Sequence, residues 1–159
     1  YVQRESSEEL QVIGDFNSEN LFYDLTGERN RSLLSATGRG YYIIALIAPG
    51  SEPVNHFLRD VMPYKKEFEK WGQKMVLLFR DQSEASRFVN DFPNLPSTVV
   101  WGTDIDDTIY NEIVKNMKLQ NPNRPVILVA DTFNRVVFMS QGYSIGLGEQ
   151  LIKVIQKLK

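Results

Sequence analysis

YYIIALIAPGSEPV, running from Tyr41 to Val54, decides how the rest of the chain is read. From Tyr41 to Ala48 successive side chains are apolar, so both faces of an extended segment would be apolar, and Gly40 and Pro49 bound it. A strand of that kind belongs at the centre of a sheet covered on both sides. After Pro49-Gly50 the period changes. Val54, Phe57, Leu58, Val61, Met62, Phe68 and Trp71 recur at spacings of three and four, which predicts a helix over Glu52 to Trp71. Ser51 stands at its N-cap position, and Pro53 falls in the first turn, where a missing N–H is harmless. Pro63 predicts a kink within it.

Outward toward the C-terminus, KMVLLFR (Lys74 to Arg80) reads as a second buried strand and Ser83 to Val89 as a short helix. STVVWG (Ser97 to Gly102) reads as a third strand, and Asp106 to Leu119 as a helix with Ile109, Ile113, Val114 and Met117 on one face. VILVAD (Val126 to Asp131) and RVVFMSQ (Arg135 to Gln141), joined by Thr132-Phe133-Asn134, predict an antiparallel hairpin. Gly142 breaks it. Ser144 leads into a last amphipathic helix with Leu147, Leu151, Ile152, Val154, Ile155 and Leu158 as its buried stripe. Outward toward the N-terminus, Leu21 to Leu34 reads as short strands turning at Thr26-Gly27-Glu28, and LQVIGDF (Leu10 to Phe16) as another. Residues 1–9 read as a flexible lead-in or linker, with 10–159 a single domain. Strand–helix alternation closed by a hairpin requires a mixed sheet flanked by helices.

The 159 residues suffice for one core without covalent staples. With 18 Lys+Arg against 20 Asp+Glu, the net charge of −2 argues against nucleic acid or a polybasic membrane patch as partner. The longest apolar run is too short to span a bilayer. There is no cysteine, so the chain carries no disulfide, thiolate metal site or thiol chemistry. It begins with Tyr1 rather than Met, so a processed product or a piece of a longer protein is expected.

Four segments, spread over Leu21 to Leu158, together resemble the thioredoxin fold in its extended, bacterial extracytoplasmic form. They are LTGE (Leu25 to Glu28) with Ser32-Leu33-Leu34, APGSEPV (Ala48 to Val54), MPYKKEFEKW (Met62 to Trp71) and RPVILVADTFNRVVFMSQGY (Arg124 to Tyr143). The resemblance implies an α/β thioredoxin-like fold, a mixed central sheet flanked by helices with an extra N-terminal β-hairpin. It places the family's C-x-P-C motif on Ser51, Glu52, Pro53 and Val54 when anchored on the central strand. Anchored on Met62-Pro63, the motif falls instead on Asn55 to Leu58. Neither register contains a thiol, so the redox reaction is expected to be lost. The resemblance also implies a cis peptide bond before Pro125. It further implies a peptide-binding face formed by Ser51 to Asn55 with Asn123, Arg124 and Pro125, a mode of binding that needs no cysteine.

GRGYYIIALIAPGSEPVNHFLRD and ADTFNRVVFMSQGYSIGLGEQLIKVI are also similar to the C-terminal thioredoxin-like part of large bacterial transglutaminase-like proteins. This second resemblance implies an exported, periplasmic or cell-surface setting. The partners would be other domains of a parent chain or a protein or peptide, and no cofactor is implied.

Other candidates have simpler readings. Asp104-Ile105-Asp106-Asp107-Thr108 matches D-x-D-x-T, in which haloacid-dehalogenase-type phosphotransferases use the first Asp as nucleophile and the second as acid/base with magnesium. Those enzymes carry the motif near the N-terminus, whereas here it lies two-thirds of the way along. Capping of the following helix by Asp104, Asp106 and Asp107 is the expectation. The cluster also lacks the glycine and terminal glutamate of an EF-hand loop. His56, the only histidine, builds no zinc site by itself and is expected on a helix surface. Ser51, Ser97 and Ser144 lack a nucleophile elbow. Gly142, Gly146 and Gly148 are read as turn glycines rather than an anion nest. Trp71, Trp101, Tyr41 and Tyr42 are read as packing residues.

Overall fold

A computed structural model describes residues 11–25, 31–47, 52–120, 125–142 and 145–158, with the backbone alone at 52–54 and 105. Its strands are β1 (Gly14–Asp15), β2 (Leu21–Asp24), β3 (Arg31–Ser32), β4 (Tyr41–Leu46), β5 (Met75–Phe79), β6 (Val99–Thr103), β7 (Val126–Asp131) and β8 (Arg135–Gln141). The helices are α1 (Leu33–Thr37), α2 (Glu52–Val61), α3 (Lys65–Trp71), α4 (Gln82–Asp91), α5 (Thr108–Asn116) and α6 (Leu147–Gln156). One sheet runs in the order β1-β8-β7-β4-β5-β6-β2-β3. The β4–β5 and β5–β6 pairs are parallel, and the other pairs are antiparallel.

The three central strands are buried on both faces, and the alternation of their side chains divides the core in two. Ile43, Ala45, Met75, Leu77, Phe79, Ile127 and Val129 face α2, α3, α4 and α6. Tyr42, Ile44, Leu46, Val76, Leu78, Leu128 and Ala130 face α1, α5 and the inward rings of Phe16 and Phe22. Burying an isoleucine or leucine to this degree contributes about 2 kcal/mol, so β4, β5 and β7 are the strands that burial stabilises most.

Pro63 interrupts the first long helix as its position predicts. α2 ends at Val61, Met62–Tyr64 form a 3-10 turn, and α3 resumes at Lys65. The β7–β8 hairpin has its predicted limits. Asn134 adopts a positive φ in the turn, and Asp131 accepts hydrogen bonds from the N–H groups of Phe133 and Arg135.

Several sequence expectations need correction. Among the described residues of the Leu10 to Phe16 segment only Gly14–Asp15 is a strand, and it pairs with β8 at the edge opposite β2 and β3. Leu33 and Leu34 belong to α1 rather than to a strand. Ser32 caps that helix through its side chain, accepting from the N–H of Ser35, and Leu33 turns into the core. α4 extends to Gln82–Asp91 because Asp81 supplies an N-cap outside the expected range. α5 is shorter than expected, since Asp106 and Asp107 take left-handed backbone angles before it. Residues 1–10, the turn at 26–30 and Ser144 lie outside the described residues.

Gly148 is not a turn glycine. It lies in the first turn of α6, where an added Cβ would come within 2.4 Å of the Asp60 carbonyl oxygen. Its N–H donates to Asp60 Oδ2 at 2.8 Å, so α2 supplies the acceptor that the glycine N-cap of α6 lacks. Gly148→Ala should therefore force α2 and α6 apart and destabilise the chain by about 2 kcal/mol, read from chemical denaturation. An unchanged midpoint would contradict this packing.

Tyr42 is fully buried. Its hydroxyl shares a 2.6 Å hydrogen bond with Ser18 Oγ, which also lies within hydrogen-bond distance of the Asp131 carbonyl oxygen, an acceptor only. Burial pushes the phenol well above its ordinary range, outweighing the Ser18 hydrogen bond. The folded state thus holds the proton more tightly than the unfolded one. Stability from this group is complete below the ordinary value of 10.0 and is lost as pH rises beyond it. Tyr42→Phe should flatten the alkaline limb of a stability–pH curve. Reversible ionisation of Tyr42 near pH 10 in the folded chain, seen by ultraviolet titration, would contradict the burial.

Candidate functional site

β4 and β7 run antiparallel, pairing Leu46 with Val126. The chain leaves β4 at this end toward α2 and enters β7 here through Pro125. The N-terminus of α2 and the Pro125 segment therefore stand at one end of the antiparallel β4–β7 pair. Pro125 is buried, and its carbonyl accepts the N–H of Gly142 at 2.8 Å, which ties the entry of β7 to the exit of β8. Ser51, Asn123, Arg124 and the Arg124–Pro125 bond lie outside the described residues, as do the side chains of Glu52, Pro53 and Val54.

α2 begins at Glu52, so Ser51 directly precedes it, and the first-turn N–H groups of α2 have no acceptor within the helix. A helix N-terminus is where a thiolate or a peptide carbonyl finds partial positive charge. The alternative register, Asn55 to Leu58, lies wholly inside α2 and ends on Leu58, which is completely buried.

Asn55 is half-buried and lines an open groove of about 640 Å³ with Arg59, Met62, Asp91 and Phe92, between α2 and the end of α4. A second depression of about 450 Å³, lined by Gly40, Tyr41, Lys70, Trp71, Gln73 and Leu158, lies at the opposite end of β4. Sequence reasoning did not find it. Trp71 and Tyr41 looked like core, and both are half-buried against it while also meeting this depression. His56 is exposed on α2.

Asp104 is buried at the end of β6 with 2% of its surface exposed. Its Oδ1 accepts from the N–H of Ile109 at 2.8 Å and its Oδ2 from that of Tyr110 at 2.9 Å. Both oxygens are turned to the first turn of α5, whereas a nucleophilic carboxylate presents one to its substrate. Capping by all three aspartates is not what the structure shows. Asp107 occupies the N-cap position without a capping side-chain bond and pairs with Arg80 at 3.4 Å, and Asp106 is exposed.

The architecture is a thioredoxin-like fold. A Chlorobium tepidum protein described as thiol:disulfide interchange protein DsbE superposes with a TM-score of 0.71 at 16% identity, covering 95% of this chain and 100% of its own. The Xanthomonas campestris bacterioferritin comigratory protein, studied for alkyl peroxide reduction, gives 0.70 at 12% identity over 92% of this chain and 98% of its own. BsSco, of the Sco family of cytochrome c oxidase assembly proteins, gives 0.68 at 13% identity over 94% and 96%. No family model matches the chain, and no curated protein matches it at a significant level.

Asp104→Ala leaves two helix N–H groups without an acceptor and should destabilise the chain by about 2 kcal/mol, with Asp104→Asn losing less because one oxygen remains. Denaturation of both variants checks this. Equal stability of wild type and Asp104→Ala would remove the capping role.

Proposed function

We propose that this chain is a redox-inactive thioredoxin-like domain that acts as a structural or partner-binding module of a larger exported bacterial protein, of the transglutaminase-like kind its sequence resembles. The observation that carries the reading is Ser51-Glu52-Pro53-Val54 at the start of α2. It retains the proline of the C-x-P-C motif and neither of its cysteines. With no cysteine in the chain there is no thiolate to attack a disulfide or reduce a peroxide. The features that would hold a peptide are separate from the thiols: the positive end of the α2 dipole and the segment that leads into β7. An extended segment of a partner, or of another domain of the parent protein, is the ligand this face would take.

Hydrogen exchange of the 159-residue chain, with and without a reduced, carboxymethylated and permanently unfolded polypeptide, tests the reading. Added protection is expected at Val54 and Asn55, with insulin reduction equal to a no-protein control. Protection confined to another surface would remove the binding face. Turnover of insulin above the control would remove the redox-inactive reading.

A further inference from the structure

β1 is two residues long, and two neighbouring residues at the end of α5 hold it. Asn116 Nδ2 donates to the Asp15 carbonyl at 3.1 Å. Met117, the C-cap of α5, lays its sulfur over Gly14, where Sδ fills the space that a Cβ would need. On its other side β1 pairs with Val136 and Arg135 of β8, and the N–H of Ile13 donates to the Val136 carbonyl at 2.7 Å. Glycine at position 14 is thus what lets a long thioether seat directly on the strand.

From Phe16 onward the chain is fastened more firmly. The Phe16 ring is buried in the core. The N–H of Ser18 donates to Asn134 Oδ1 at 2.9 Å, and Glu112 of α5 accepts from the N–H of Asn17 and from Asn20 Nδ2, both at 2.9 Å. Before Phe16 the side chains of Val12, Ile13 and Asp15 are exposed, and Gly14 has none. Among the described residues β1 is therefore held by its ladder, by Asn116 and by the Met117 sulfur.

The chain has four methionines and no cysteine, so thioethers are its only oxidisable sulfur. Met75 is buried within β5. Met62 lies in the turn after α2, and Met139 lies in β8 beyond the residues that pair with β1. Met117 is half-buried at a helix end, within reach of a small oxidant.

We infer that Met117 is an oxidation-sensitive latch for β1, opened by hydrogen peroxide. A lone pair of the sulfur attacks one peroxide oxygen, and the O–O bond breaks. The sulfur keeps that oxygen as a sulfoxide, and the other leaves with both protons as water. The thioether is apolar and packs against the core that contains Phe16, Ile113 and Val136. The sulfoxide is polar and costly to bury, so the side chain turns outward and its contact with Gly14 is lost. β1 then keeps only its short ladder and the Asn116 bond. Reduction of the sulfoxide reseats the sulfur, which makes the latch reversible. The inference is independent of the proposed peptide-binding face.

The double variant Met62→Leu with Met139→Leu, which leaves Met117 and the buried Met75, tests it. After hydrogen peroxide, peptide mass mapping should place one added oxygen on Met117. Amide exchange of Ile13 should then speed up by about tenfold or more, with that of Ser18 unchanged. Methionine sulfoxide reductases for both epimers should restore the original rate. Adding Met117→Leu keeps the apolar volume, and this triple variant should give no response to peroxide. Oxidised Met117 with Ile13 exchanging at its original rate would overturn the inference. So would a Met117 that peroxide leaves untouched, or equal acceleration in the triple variant.

Discussion

Six consecutive residue pairs join β4 to β7, from Tyr41 with Asp131 to Leu46 with Val126, and the rest of the molecule is arranged around that antiparallel ladder. Both strands are apolar on both faces, so the pair is stable only where helices cover it from two sides. β5 and β6 add in parallel to β4 and require crossovers, which α2, α3 and α4 provide over one face. α5 returns the chain from β6 to β7 over the other. The ladder also places the start of α2 and the entry of β7 at one end. The candidate face is thus a consequence of how the core is built.

Much of this was legible because burial leaves a pattern. The continuous apolar run from Tyr41 has one reading in a domain of this size, and the change of period at Pro49-Gly50 marks the turn into α2. The limits of β7 and β8 were visible because the short turn Thr132-Phe133-Asn134 separates two runs rich in β-branched residues. The errors fell where local signals compete. Leu33 and Leu34 continue the apolar character of β2 and β3, and only the Ser32 cap, a short-range hydrogen bond, commits them to a helix. Asp106 and Asp107 resembled helix caps, but their left-handed angles place them before α5 and leave the capping to Asp104, which accepts from the N–H of Ile109 five residues on. The need for glycine at position 148 comes from the Asp60 carbonyl, which is distant in sequence and gives no local sign.

The site was legible only in part. The motif-like segment Ser51 to Val54 stood out by its place between a buried strand and a helix, and α2 does begin there. The groove beside Asn55 gave no sequence signal, because Arg59, Met62, Asp91 and Phe92 come from separate elements brought together by packing.

The proposed reading is that this thioredoxin-like scaffold carries no redox reaction because the two side chains at the ends of Ser51 to Val54 are not cysteines. Restoring the thiols tests that most directly. In the double variant Ser51→Cys with Val54→Cys, the two thiols should form an intramolecular disulfide, seen as a mass loss on oxidation, and the reduced form should catalyse insulin reduction above the wild-type chain. The pair Asn55→Cys with Leu58→Cys, inside α2, should not. A folded Ser51→Cys/Val54→Cys variant that neither closes the disulfide nor gains activity would contradict the account.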